Sequence, residues 1–89
     1  MLNVLPLDLR RREQLRWIIH ATDVFVSTIR HHTEDDIRAA IVTATENFFK
    51  GESGARSVYR GYDHARQQII QRQDEQNNVI RIKFGLNNI

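Results

Sequence analysis

Positions 15, 18, 22, 25 and 29 hold Leu, Ile, Thr, Phe and Ile, a stripe that returns at alternating steps of three and four residues. That period predicts an amphipathic helix over about 8–31, with Asp8 as its N-cap after Pro6. Ile19 and Val26 widen the stripe, while Trp17, Ala21, Val24 and Thr28 form a second apolar strip on nearly the opposite side. A helix apolar on two sides needs cover on two sides.

The segment HHTEDDIRAA carries the clearest local signal. Thr33 can cap a second helix, with Asp36 at the third helical position closing a weak capping box and Glu34 and Asp35 at the positive end of the dipole. His31 and His32 then fall at the C-terminal end of the first helix, where cations are favoured. The second helix is predicted over 34–50, with Ile37, Ala40, Ile41, Ala44 and Phe48 on one side and Val42 and Phe49 further round. Lys50-Gly51 ends it, glycine supplying a left-handed residue.

A third helix is expected over 55–74, starting near Ser53 or Ser57. Val58, Tyr62, Ala65 and Ile69 form its core stripe. Gly61 costs up to ~1 kcal/mol relative to alanine inside a helix, so its presence implies a bend or a close helix approach. After Asn77-Asn78 the period changes: Ile80, Ile82 and Phe84 alternate with Arg81 and Lys83, a strand pattern over 79–84. A lone strand leaves its backbone groups unpaired. This one therefore needs MLNVL at residues 1–5, a second copy of the chain, or a partner protein that pairs with its edge.

The expected fold is mainly α: one compact three-helix domain spanning 1–89 with a short C-terminal strand. The chain has 89 residues, near the lower limit for an adequate core, and chains of this size often gain stability by forming homodimers. It contains no internal repeat or low-complexity segment. There is no cysteine, which excludes disulfides and thiolate chemistry and agrees with a cytoplasmic protein. The N-terminus lacks the order of a secretory signal, and WIIHATDVFVSTI is too short and polar to span a bilayer, so no membrane association is expected.

The formal charge is only +2, but it is unevenly distributed. Residues 10–32 carry five arginines and two acids, residues 33–53 five acids and two bases, and residues 54–72 four arginines and one acid. Such alternation serves either internal complementarity or two basic surfaces that meet a polyanion. Eleven of the thirteen bases are arginine, which favours planar recognition of phosphate or carboxylate.

On the third helix Arg56, Arg60, Asp63, His64, Gln67 and Gln71 lie opposite the core stripe. Arg56 and Arg60 can bond guanine or phosphate, and Gln67 and Gln71 can bond adenine. A helix, the connection GESG and a second helix also share the outline of a helix-turn-helix. Arg10, Arg11, Arg12 and Arg16 offer a second phosphate-contacting patch, placed at the helix end where the dipole disfavours cations. The competing account makes these residues a solvated face paired with nearby acids.

Trp17 and Val24 fit a protein interface, since tryptophan is enriched at interface centres. The alternative is core burial beneath Val42, Phe49 and Tyr59. Four histidines do not form a metal or catalytic set: His31 and His32 point about 100° apart on a helix, and His20 with Asp23 lacks a nucleophile. GESG lacks the lysine and hydroxyl of a phosphate-binding loop. The sequence thus points to a non-enzymatic protein without cofactor or metal. Its leading reading is a small DNA-binding regulator or accessory protein. The rival is an adaptor or inhibitor that binds protein through Trp17 and Val24, or through Ile80 and Ile82 on the strand edge.

Overall fold

The computed structural model describes the backbone of residues 7–83 and the side chains of residues 9–79. It contains three helices, α1 (Leu7–Ser27), α2 (Glu34–Phe49) and α3 (Gly54–Lys83), and no strand among the described residues. Asp8 falls inside α1 instead of capping it. The helix also stops earlier than its apolar period, at Ser27; there Ser27 and Thr28 turn their hydroxyls onto the carbonyls of Asp23 and Phe25, at 2.7 and 2.6 Å. Such side-chain bonds compete with the helical ladder. His31 follows in the left-handed region at φ 71°, so the two histidines belong to the turn and not to the helix end.

The capping box before α2 is complete: Asp36 N–H donates to Thr33 Oγ1 at 3.2 Å, and Thr33 N–H donates to Asp36 Oδ2 at 2.8 Å. At the other end Gly51 adopts φ 107°. Its N–H donates to the Phe48 carbonyl at 3.1 Å and Glu52 N–H donates to the Asn47 carbonyl at 3.1 Å, the two bonds of a Schellman motif. Ser53 then caps α3, its Oγ accepting from Arg56 N–H at 3.3 Å.

Core pairings fix the arrangement. Ile18 clusters with Ala44, Phe48 and Val58, and Val26 with Ala40 and Ala65. As numbers rise along α1 they fall along α2, so these helices are antiparallel. Trp17 lies against Gly54 and Phe25 against Tyr62, so α1 and α3 run parallel. The result is an up-down-up three-helix bundle. The close approach expected at Gly61 is present, since a Cβ placed there would lie 2.4 Å from the Ala40 carbonyl oxygen and 3.0 Å from Ala44 Cβ. Phe25, expected in the core, is half exposed beside α3, and Ile37 and Ile41 are only partly covered.

The strand expected at 79–84 is corrected: residues 79–83 continue α3, and residue 84 and the proposed pairing segment 1–5 lie outside the described residues. A helix satisfies its own backbone, whereas a strand here would need a ladder that no other described segment supplies. Thirty residues make α3 about 45 Å long against about 24 Å for the sixteen of α2. Its distal part therefore extends past the bundle, and Asp74–Val79 are exposed.

Candidate interaction surfaces

Two surfaces compete for function, one polar and one apolar. The polar surface begins with Arg56 and Arg60, which converge on one carboxylate, Glu52, at 3.6 and 3.5 Å. Gln67 donates to Asp63 Oδ2 at 2.9 Å, Arg66 pairs with Asp63 Oδ1 at 3.0 Å, and Gln71 reaches Glu75 at 3.4 Å. The side chains expected to read bases are thus engaged with acids on or just before their own helix. Exposed pairs of this kind are weak, typically below about 1 kcal/mol, yet they leave the face close to neutral.

On α1, Arg10, Arg11, Arg12 and Arg16 are all exposed. Arg16 pairs with Glu13 at 3.7 Å, and the Arg11 guanidinium sits 5.0 Å above the Phe48 ring. That stacking contact places the basic turn of α1 at the same end of the bundle as the α2–α3 connection and Arg56. The helix pair itself is not shaped like a helix-turn-helix, whose two helices cross at a steep angle. Contacts between α2 and α3 run from Phe48 and Val58, through Ala40 and Gly61, to Asp36 and Arg72, the pattern of an antiparallel hairpin.

The apolar surface lies along α1 and α3. Trp17 is 51 % exposed, Val24 47 %, Phe25 50 % and Tyr59 61 %. Burial of Trp17 beneath Val42, Phe49 and Tyr59 does not occur. Instead its ring rests against Gly54, where a Cβ would approach Trp17 Cζ3 to 3.2 Å, and Val42 and Phe49 face outward from α2. Beyond Trp17 a groove of about 310 Å³ runs between the two parallel helices, lined by Phe25, Thr28, Ala55, Val58, Tyr59 and Tyr62. Phe25 and Tyr62 meet edge to face in it, centroids 6.5 Å apart. Ile80 and Ile82 are helical in backbone, so they form no strand edge.

Arg72 belongs to none of the sequence motifs. Its guanidinium forks onto Asp36 at 2.8 and 3.1 Å and donates to the His31 carbonyl at 3.1 Å. One side chain thereby ties α3 to the α1–α2 turn. The Arg72 hydrogen bonds, reinforced by Thr33, outweigh burial and lower the Asp36 carboxyl to about 2. The only hint in the sequence was an aspartate where a capping box ordinarily carries the longer glutamate. The shorter side chain satisfies the cap and still accepts a planar fork from α3.

No group of three or more His, Asp or Glu among the described residues is placed to hold a metal ion. No described helix is long and apolar enough to cross a membrane. No family model, curated protein or solved structure matches the chain.

Proposed function

We propose that this chain is a non-enzymatic protein-interaction module that works through the apolar α1–α3 face. The observation that carries this reading is an imbalance in the bundle. Ten large hydrophobics are exposed among the described residues, while only five buried hydrophobics, Ile18, Val26, Phe48, Val58 and Ile69, are larger than alanine. Scattered surface hydrophobics are ordinary, but a contiguous patch marks an interaction site. Phe25 and Tyr59 line one groove between α1 and α3, and the exposed Trp17 and Val24 lie seven positions apart on α1, so this face has the aromatic content typical of interface centres.

A second reading, DNA binding in a regulatory or accessory role, is supported by the exposed arginines of α1 lying at the same end of the bundle as Arg56. It is the weaker of the two, because Arg56 and Arg60 share Glu52 and the α2–α3 pair is a side-by-side hairpin.

Hydroxyl-radical footprinting, read by mass spectrometry in cells expressing the chain and on the dilute purified protein, separates the two. Protection of Trp17, Val24, Phe25 and Tyr59 in cells, lost on dilution, supports the protein-binding reading. Protection confined to Arg56, Arg60 and the first turns of α1, reproduced by adding duplex DNA, would assign function to the arginine face instead.

A further inference from the structure

The geometry points to a second copy of this chain as the occupant of the α1–α3 face, with Trp17 of each copy seated in the groove of the other. This rests on the reading of that face as an interaction surface and names its partner. A two-fold dimer requires a surface complementary to itself, so that a projecting group and its receptor lie on the same face. The α1–α3 face carries both. Trp17 projects at the level of Gly54, half exposed, and the groove opens further along the same helices.

The spacing suits a two-fold axis. Because Trp17 aligns with Gly54 and Phe25 with Tyr62, the groove residues centre about six positions along α1 from Trp17, or about 9 Å at helical rise. The midpoint falls level with position 20, one residue from Ala21, a small, partly buried residue of this face that allows two copies of α1 to approach closely. A rotation there carries Trp17 of one copy onto the groove of the other and the reverse. The groove volume of about 310 Å³ lies at the small end of pockets that enclose a ligand and is ample for one indole.

Charge and area agree. Asp63 holds both Arg66 and Gln67 along the α3 rim, so two identical rims meet without like-charge repulsion. With about half of each of Trp17, Phe25 and Tyr59 exposed, and side chains of this type offering about 150–250 Å² each, the three rings give about 300 Å² per copy. Val24 and the remaining groove residues bring two copies to about 1,000 Å², the threshold for a specific interface.

Trp17 is the only tryptophan, so its fluorescence reports this contact alone. Light scattering and tryptophan emission are followed together on the purified full-length chain across a dilution series. Wild type should fall from two-chain to one-chain mass as its emission moves to longer wavelength in parallel. Ala55→Arg, which fills the groove from an exposed position, should weaken association about tenfold or more, with the long-wavelength emission at concentrations where wild type is paired. Val42→Arg, on the outer side of α2, should match wild type, and unchanged circular dichroism of both variants establishes that they are folded. One-chain mass at every concentration overturns self-docking, as does a two-chain mass whose emission neither dilution nor Ala55→Arg moves. If the purified chain is single while protection of the same face persists in cells, self-docking fails and the interaction-surface reading stands. If neither is seen, both fail.

Discussion

Gly61→Ala should destabilise the protein, although the same change in an open helix stabilises by up to about 1 kcal/mol. A Cβ at position 61 would stand 2.4 Å from the Ala40 carbonyl oxygen, 3.0 Å from Ala44 Cβ and 3.2 Å from Thr22 Cγ2. The first of these is backbone of α2, which cannot rotate aside as a flexible side chain can. Relief therefore requires α2 and α3 to separate, loosening Ala40, Ala65 and Val26, which are packed with them. Overpacking costs about 1–3 kcal/mol, and a 2.4 Å approach to a backbone oxygen puts this site in the upper part of that range, about 2–3 kcal/mol, so after the propensity gain the net change is a loss of about 1–2 kcal/mol. For a chain of this size that lowers Tm by about 5–15 °C, measurable by thermal circular dichroism. Adding Ala44→Gly should restore little, because it removes the 3.0 Å neighbour and leaves the carbonyl in place. A Gly61→Ala protein as stable as wild type, or more so, would refute the close approach of the two helices.

Asp36→Asn should lower stability by about 1–2 kcal/mol at neutral pH, a range reduced from the full shift because Arg72 is partly solvated. The carboxyl titrates lower in the folded chain than its ordinary 3.8, at about 2. Its contribution is therefore fully present above pH 3.8 and lost as pH falls through about 2, and urea titrations at stepped pH should converge for wild type and variant below that point. Ser57→Ala should raise Tm by several degrees in a thermal melt, because its Oγ is buried without a hydrogen-bond partner among the described residues, a state that costs about 1–3 kcal/mol. Arg56→Ala with Arg60→Ala should leave the two-chain mass seen by light scattering unchanged, since both arginines lie away from the α1–α3 groove and pair with Glu52.

Three helices were legible in the sequence from their apolar periods, but only the two ends of α2 and the start of α3 were written in local chemistry, while α1 ends before the expected 31 and α3 runs on past the expected 74. Thr33 and Asp36 announce α2, Gly51 ends it and Ser53 opens α3, each through bonds among residues adjacent in the chain. The core stripe of α3 was largely readable, with Val58, Ala65 and Ile69 buried and Tyr62 partly buried at the edge of the groove. The alternation at Ile80 and Ile82 misled, because so short a pattern says nothing about whether a partner strand exists, whereas an established helix extends without forming a new nucleus. Phe25 shows another limit: periodicity places it on the core side of α1 but cannot say where the cover of α3 stops. The Arg72–Asp36 fork spans 36 residues, and no local pattern predicts such a pairing. For the candidate surface, Trp17 and Val24 stood out as a strip the core stripe does not use. The groove beside them depends on α1 and α3 running parallel, a property of the packed bundle.

The most direct test of self-docking through the α1–α3 face is the solution mass of the Val24→Glu protein beside wild type, measured by light scattering at matched concentrations. Val24 is about half exposed on α1 and outside both core clusters, so the carboxylate burdens the face and not the fold. Wild type should give twice the mass of one chain and Val24→Glu the mass of one, with equal helicity. Equal masses for the two proteins, both of two chains or both of one chain at every concentration, would contradict the account.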